Sequence, residues 1–179
     1  ARMTPTCNAP SGLTAVYGQK LNEIALTSPE GNTPGTWTWE GDTTQDVGNV
    51  GKHTFKATFT PDDGYTYKTV TGIDVTVTVA QADQTITIDP GEHSIIRNGV
   101  AQSIDFAHAQ GELTYSLENE IAGVSLDADA KTLTVQPAVE ADTVITIRAT
   151  AAATENYKET YTTFVVTVAA KSDIELTIT

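Results

Sequence analysis

The residues of this chain that could do chemistry are few and widely spaced. Its three histidines, His53, His93 and His108, lie outside the spacings typical of a zinc site, a metalloprotease or a serine hydrolase, and the chain has no glycine-rich phosphate loop. We interpret them as surface or turn residues, with a cluster formed on folding as the alternative. The sequence therefore predicts a protein that is not an enzyme, with no catalytic residue and no cofactor.

Two acidic turns are the best candidates for metal ligands. Asp62-Asp63-Gly64 and Asp127-Ala128-Asp129 each offer two carboxylates, whereas calcium takes about six to eight converging oxygen atoms. Aspartates in such turns commonly accept hydrogen bonds from their own backbone. We predict two ordinary turns and no metal site, and we keep calcium binding as the alternative.

Two tryptophans, Trp37 and Trp39, are weak candidates for ligand binding. Residues 36–40 alternate with period two, so both rings project from one face of the predicted strand. Such a pair could stack on a sugar, and it could equally fill the core of a domain that is poor in leucine. We favour the core for at least one ring and keep carbohydrate binding as the alternative.

The overall charge excludes several classes of partner. At a net charge of −13, the chain repels nucleic acid phosphates and anionic membrane surfaces, so we expect no nucleic acid partner. No apolar run reaches 18 residues, so we expect no membrane insertion of this segment. The single cysteine, Cys7, has no intrachain partner; we interpret it as a small residue near a frayed end, with a lipid-modified or reactive thiol as the alternative.

A segment that occurs twice, about 92 residues apart, sets the domain organisation. Ala57-Thr58 leads to Tyr65 with the same spacing as Ala149-Thr150 leads to Tyr157, and each copy is followed by a Val-Thr-Val strand. A repeat of this length is one small β-domain. We predict that the Tyr65 and Tyr157 rings pack on their cores with their hydroxyls bonded to backbone, as in tyrosine corners.

The rest of the chain alternates short strand-like segments with turns, and β-branched residues are abundant. This pattern predicts an all-β sandwich in two copies. We assign residues 1–81 to the first domain and residues 82–169 to the second. Residues 170–179 are assigned to a linker and the first strand of a truncated third module.

These residues resemble bacterial immunoglobulin-like repeats of cell-surface proteins from Gram-positive bacteria. The resemblance rests on residues 15–21, 35–39, 47–48, 59–61 and Tyr65 in the first domain, and on residues 113–116, 132–135, 145–147 and 156–158 in the second. It implies two tandem immunoglobulin-like β-sandwich domains, end to end, without catalytic residues. Some related surface domains carry an internal lysine–asparagine bond. Lys20 and Lys56 are the possible donors here, but neither Val-rich closing strand contains an asparagine, so we do not expect such a bond.

The resemblance implies a structural role outside the cell. We expect a non-catalytic stalk or spacer, attached to the cell surface or cell wall, that is monomeric and whose partners are neighbouring domains of the same polypeptide. The alternative is an adhesion module that binds a host glycan or protein through its inter-strand loops. Pro29–Gly35 and Glu118–Gly123 are the candidate loops.

Overall fold

The computed structural model describes residues 1–170, and nearly all of its regular secondary structure is β-strand. The chain divides into two compact units, Ala1–Ala82 and a second that begins at Asp83. The prediction of an all-β fold of the immunoglobulin-like sandwich type is confirmed. The tail assigned to a linker and a truncated module lies, from residue 171 onward, outside the described part of the chain.

The first unit contains one four-stranded sheet. Its strands are β1 (Leu13–Val16), β2 (Gly35–Trp39), β3 (Gly51–Pro61) and β4 (Val70–Ala80). The order is β1-β4-β3-β2; β1 is parallel to β4, and the other pairs are antiparallel. Since side chains alternate across a strand, one face carries the buried residues Ala57, Phe59, Val75, Val77 and Val79.

Irregular chain covers the inner face of this sheet. Leu21, Ile24 and Val47 are buried there, although a 3₁₀ turn at Leu21–Glu23 and a single bridge between Lys20 and Asp46 are the only regular structure around them in the described chain. The second layer of the first unit is therefore made mostly of loops, because its apolar side chains are too irregularly spaced to line one face of a strand.

Within residues 83–170, the second unit has nine strands. These are β5 (Thr87–Ile88), β6 (Ser94–Ile96), β7 (Ala101–Ser103), β8 (Ala107–His108), β9 (Leu113–Leu117), β10 (Val124–Asp127), β11 (Thr132–Val135), β12 (Val144–Ala151) and β13 (Thr160–Ala169). They form a four-stranded sheet β6-β13-β12-β9, a three-stranded sheet β10-β11-β7 and the pair β5-β8. The four-stranded sheet has the same order and orientation as that of the first unit, with β6 parallel to β13.

The core of the second unit lies between its sheets as one continuous cluster. Leu133 and Val135 of β11 face Ile145 and Ile147 of β12, and all four are fully buried. These residues come from strands with strict alternation, so each layer supplies a complete apolar face.

Candidate functional site

The two tryptophans belong to the core of the first unit rather than to an exposed platform. Trp37 is 7% exposed and packs on Phe59, with ring centroids 5.1 Å apart. Trp39 is half-buried; its indole Nε1 donates to the carbonyl oxygen of Ile24 at 2.9 Å, and its ring meets Phe55 edge-on. The interpretation of these rings as core residues agrees with this geometry, and the carbohydrate platform stays an alternative that nothing here tests.

The packing predicted for Tyr65 is wrong, since this side chain is 95% exposed. The strand ladders explain the error. Phe59 faces Trp37 as Ala149 faces Tyr115 in the second unit, so the sequence alignment of the two copies is out of register by two residues. The counterpart of Tyr157 is therefore Tyr67, and both of these tyrosines are half-buried.

The backbone of Tyr157 is bonded to Thr154 within its turn. Its amide donates to Oγ1 of Thr154 at 3.1 Å, and its carbonyl accepts from the amide of Thr154 at 2.9 Å. A buried and bonded phenol is present at Tyr115, which is 3% exposed and donates to Oδ1 of Asp105 at 2.8 Å. The role of Tyr157 in packing stays a prediction.

The Tyr115–Asp105 pair continues to a lysine. Lys131 Nζ lies 3.2 Å from Oδ1 of Asp105, at 6.0 Å from the Tyr115 ring centroid. Burial, together with the bond to Asp105, raises the pKa of Tyr115 to about 12. The bond from Tyr115, and the contact with Lys131, lower the pKa of Asp105. The network fixes the phenol of Tyr115 inside the core, where it is bonded to Asp105.

Folding brings two of the three histidines to one aspartate. His108 Nε2 lies 2.8 Å from Oδ1 of Asp89, and His93 Nε2 lies 3.1 Å from the carbonyl oxygen of Asp89. The His93 ring stacks on Phe106 with centroids 4.1 Å apart. His53 lies in the first unit, where it contacts the carbonyl oxygen of Asn49. Across residues 1–170, no group of three or more His, Cys, Asp or Glu side chains is arranged to hold a metal ion.

The two acidic turns use their carboxylates to fix the backbone. Oδ1 of Asp63 accepts from the amides of Tyr65 and Thr66, both at 3.0 Å, and its pKa is lowered by its bonds to Thr66. Oδ1 of Asp127 accepts from the amide of Ala130 at 3.0 Å. These carboxylates act as turn residues, as the sequence suggests.

The two lysines considered for an internal bond are exposed and paired with aspartates. Lys20 lies 2.7 Å from Asp46, and this contact raises the lysine pKa. Lys56 lies 2.6 Å from Asp74. These are ordinary surface ion pairs that stabilise a fold only weakly.

The buried side chain of Gln84 was missed by the sequence analysis. It is 7% exposed; its Nε2 donates to the carbonyl oxygens of Ala152 and Lys158 at 2.9 and 2.7 Å, and its Oε1 accepts from the amide of Gly111 at 2.9 Å. A Cβ on Gly111 would collide with the Ala152 carbonyl. Its partners are distant in the sequence, so no local pattern marks Gln84 as buried.

A polar surface with an exposed aromatic ring lies on the outer side of the four-stranded sheet of the second unit. We call it the β9–β12–β13 face. It consists of Thr114, Ser116, Thr146, Arg148, Thr150, Tyr161, Thr163 and Val165, with Glu118 at its border. Tyr161 is 61% exposed, and the guanidinium carbon of Arg148 lies 4.3 Å from its ring centroid.

Arg148 is held from its other side by Glu118, whose Oε1 accepts from Nε, and this contact raises the pKa of Arg148. Sequence reasoning missed this group because Glu118, Arg148 and Tyr161 are far apart in the chain. Strict alternation in β12 and β13 could have placed the latter two on the outer face, but only the register brings them together.

The equivalent position in the first unit is arranged differently. Glu40 follows β2 as Glu118 follows β9, and both donate their amide to the neighbouring long strand. Oε1 of Glu40 accepts from the amide of Gly72 at 2.6 Å and from Oγ1 of Thr58 at 2.7 Å, and these bonds lower its pKa. The glutamate at this position therefore contacts an arginine in the second unit, whereas in the first unit it accepts hydrogen bonds from residues of its own sheet.

The comparisons with known proteins place the chain in no family. No family model matches it, and no curated protein sequence is significantly similar to it. Solved structures of cadherin ectodomains are similar at low identity. Human protocadherin-24 EC1-2 superposes with a TM-score of 0.47 at 13% identity, covering 96% of this chain and 100% of that one.

Mouse cadherin-23 EC22-24 gives a TM-score of 0.45 at 18% identity, with coverage of 93% of this chain and 64% of that one. Protocadherin gamma C5 EC1-3 gives 0.47 at 12% identity, with coverage of 93% and 68%. At these scores and identities the likeness carries no information about ligands or partners. In the described part of the chain, no helix is long and apolar enough to cross a membrane.

Proposed function

We propose that this chain is a non-catalytic stalk or spacer of a multi-domain bacterial cell-surface protein. In this proposal, residues 1–81 and 82–169 are two domains of an extracellular, cell-wall-attached polypeptide. Their partners are the neighbouring domains, and the segment itself is monomeric. The observation that carries the proposal is the parallel pairing near the two ends of each unit.

In the first unit, β1 runs parallel to β4, with Leu13 opposite Val77 and Val16 opposite Ala80. In the second unit, β6 runs parallel to β13, with Ser94 opposite Thr167. Each pair joins an early strand of its unit to the last one. A force on the two ends of a unit therefore pulls these neighbours in opposite directions along their axes.

Such a force loads all the hydrogen bonds of the pair together, in shear. An antiparallel pair joined by a hairpin would instead open one bond at a time. Since the bonds of a parallel pair are evenly spaced along the strands, the load is shared. Side chains that are buried beneath the pair, such as Val77 and Val168, must slide past their neighbours at the same time. This geometry suits a segment that transmits tension.

The surface supports the same role. The net charge of −13 keeps a segment of this kind soluble and disfavours pairing between sheet edges. Threonines line much of the outer face of the four-stranded sheet of the first unit, where β-branched residues suit a half-exposed strand.

Force spectroscopy of the whole chain tests the proposal. Pulling from the two termini should unfold the second unit at a force several times higher than pulling through Ser94→Cys and Thr167→Cys, with Cys7→Ser as background. These two cysteines lie opposite each other in the parallel pair, so pulling through them peels it open. Equal forces in the two geometries would contradict the shear argument.

Adhesion through a loop is the second candidate, and one observation favours it. The Glu118–Gly123 loop borders an open depression of about 510 Å³, lined by Leu117, Glu120, Ile121, Ala122 and Val124. The other candidate loop, Pro29–Gly35, is tied down, since Thr33 exchanges two hydrogen bonds with Thr6. If the depression binds a host protein, Ile121→Asp should abolish attachment of the chain to host cells, and Ile96→Asp, an exposed control, should not.

A further inference from the structure

The β9–β12–β13 face has the chemistry of a carbohydrate surface. We propose that it binds a neutral oligosaccharide, with the Tyr161 ring stacked on a sugar and the Arg148–Glu118 pair bonded to sugar hydroxyls. This inference goes beyond the spacer function and does not depend on it.

The Tyr161 ring is held ready for stacking. One face of the ring lies against the guanidinium of Arg148, a contact that is favourable because the cation meets the negative face of the ring. Since the side chain is still 61% exposed, the opposite face is open to solvent. An aromatic ring that is fixed in place loses little conformational freedom when a ligand covers it. The C–H face of a pyranose ring is apolar enough to do so.

The Arg148–Glu118 pair offers donors and acceptors side by side. A guanidinium carries five N–H donors and an ionised carboxylate has two acceptor oxygens; the contact between Nε and Oε1 uses one of each. Each sugar hydroxyl is both a donor and an acceptor, so two adjacent hydroxyls can bond to this pair together. The pair also fixes its own geometry, because each partner limits the rotamers of the other.

Hydroxyl side chains surround these groups in register. Arg148 lies opposite Ser116 on one side and Thr163 on the other. Thr150 lies opposite Thr114 and Tyr161 in the same way. Adjacent strands are about 4.8 Å apart, so the face presents hydroxyls at regular intervals on both sides of the aromatic ring.

The charge of the face favours a neutral ligand. Arg148 and Glu118 compensate each other, and the remaining members of the face are uncharged. A basic peptide would be attracted to other parts of a chain that carries a net charge of −13, whereas an anionic glycan would be repelled by that charge. An oligosaccharide of neutral hexoses is neither repelled by the net charge nor drawn to other parts of the surface.

The first unit supplies an internal comparison. At its equivalent position Glu40 bonds to Thr58 and to the amide of Gly72, so these groups already satisfy one another. Thr58 occupies the place of Arg148, because it faces Thr38 as Arg148 faces Ser116. The same framework therefore has a closed hydrogen-bond set in one unit and an arginine beneath an exposed ring in the other.

An NMR titration of the whole nitrogen-15-labelled chain tests the proposal. The probes are cellohexaose, chitohexaose and mannohexaose, with a hyaluronan hexasaccharide as the anionic comparison. At least one neutral probe should shift amide signals of residues 114–118, 146–150 and 161–165, and the signals around Glu40 should stay unchanged. Tyr161→Ala should weaken binding about tenfold, whereas Tyr161→Phe keeps the ring and should change it by no more than about twofold.

Arg148→Thr, which copies the first unit, should weaken binding about fivefold or more, as expected for the loss of charge-assisted hydrogen bonds. Tyr65→Ala is the matched control, because it removes an exposed tyrosine ring outside the face, and it should leave binding unchanged. Melting curves check that each variant is folded. The proposal is overturned if no neutral probe binds, if only hyaluronan binds, or if Tyr161→Ala binds as the wild type does. None of these results changes the unfolding forces expected for the spacer function, so the two proposals can fail separately.

Discussion

The two units build the same four-stranded sheet and cover it in different ways. In the second unit, a sheet of β7, β10 and β11 supplies a second apolar layer, and the buried residues form one cluster. In the first unit, loops supply that layer, and the buried residues fall into two clusters. Half-buried Leu13 and Trp39 pack against both of these clusters. A layer made of loops can thus close a core, provided that a few large side chains connect its parts.

The two units also differ in the polar side chains that join their segments. The first unit fixes its loop layer through an indole on the sheet, since Trp39 Nε1 donates to the carbonyl of Ile24. The second unit uses a buried amide, Gln84, and a buried phenol, Tyr115, to join segments that are distant in the sequence. Buried polar groups of this kind stabilise only when they are fully bonded, and in the described chain no buried side-chain nitrogen or oxygen lacks a partner.

The largest effect should come from Trp39→Ala in the first unit. The change removes the ring that joins two clusters together with its bond to Ile24, and large-to-small aromatic changes cost about 3 to 5 kcal/mol. We expect about 3 kcal/mol, because the ring is half-buried. Both tryptophans lie in the first unit, so denaturation followed by fluorescence of the remaining Trp37 reports on that unit alone. Trp39→Phe should recover most of the loss. An unchanged midpoint for Trp39→Ala would mean that the clusters are held together by other contacts.

A loss of similar kind but smaller size is expected for Gln84→Leu in the second unit. The variant leaves the amide of Gly111 and the carbonyl oxygens of Ala152 and Lys158 without their partner. Each unsatisfied buried group costs about 1 to 3 kcal/mol, and water that enters beside the exposed Lys158 reduces the total to about 2 to 3 kcal/mol. Gln110→Leu, at an exposed neighbour of the same turn, is the matched control and should change stability by less than about 0.5 kcal/mol.

Chemical denaturation monitored by amide signals of β12 would compare the two glutamine variants. Equal midpoints for Gln84→Leu and Gln110→Leu would contradict this expectation. They would show that the three hydrogen bonds of Gln84 add no stability over the bonds that the same groups make with water.

These contrasts show which features can be predicted from sequence. Strands such as β4 and β13 follow from their runs of β-branched residues, and the repeat follows from the similar sequences around these runs. The correct alignment of the two copies cannot be predicted in the same way. Ala-Thr pairs are too common to fix it, and Tyr65 lies only two residues from Tyr67. The burial of Gln84 could not be predicted, since a polar side chain does not reveal from sequence alone that it is buried. The Arg148–Tyr161 contact depends on cross-strand register, which no local pattern determines.

The pH dependence of the two units should differ at alkaline pH. Tyr115 has a pKa of about 12 in the folded second unit, above the value near 10 of an unfolded chain. The stability linked to this group is therefore fully present below pH 10 and is lost as the pH rises from about 10 to 12, because only the unfolded state releases the proton in that range. Unfolding of the second unit should thus become easier in this window, and Tyr115→Phe should show a smaller decline.

At acidic pH, the same network should lose stability as the pH falls, because the pKa of Asp105 is shifted down and not up. The pKa of Asp105 is lowered in the folded state by its bond from Tyr115. Its contribution is present above the unfolded value near 4 and is lost as the pH falls through the lower folded value. Denaturation midpoints of wild type and Tyr115→Phe between pH 2 and 12 would test both ends. A wild-type decline above pH 10 that Tyr115→Phe reproduces in full would exclude Tyr115 as its source.

The smallest effect is expected where the two copies were misaligned. Tyr65 is almost fully exposed, so Tyr65→Ala should change the stability of the first unit by less than about 0.5 kcal/mol. Tyr67 is half-buried and forms a parallel bridge with Met3, whose amide and carbonyl bond to Thr66 and Lys68. Tyr67→Ala should therefore cost more, about 1 to 2 kcal/mol, since part of an aromatic surface is returned to water.

Tyr157→Ala provides the comparison in the second unit, because Tyr157 occupies the place of Tyr67. If register decides the role of these residues, Tyr67→Ala and Tyr157→Ala should resemble each other, and Tyr65→Ala should differ from both. The free energies of unfolding of the three variants measure this directly. A cost for Tyr65→Ala equal to that for Tyr157→Ala would favour the alignment read from the sequence over the one given by the strand ladders. The physical reason for expecting otherwise is that a side chain in solvent makes no contact that alanine would lose.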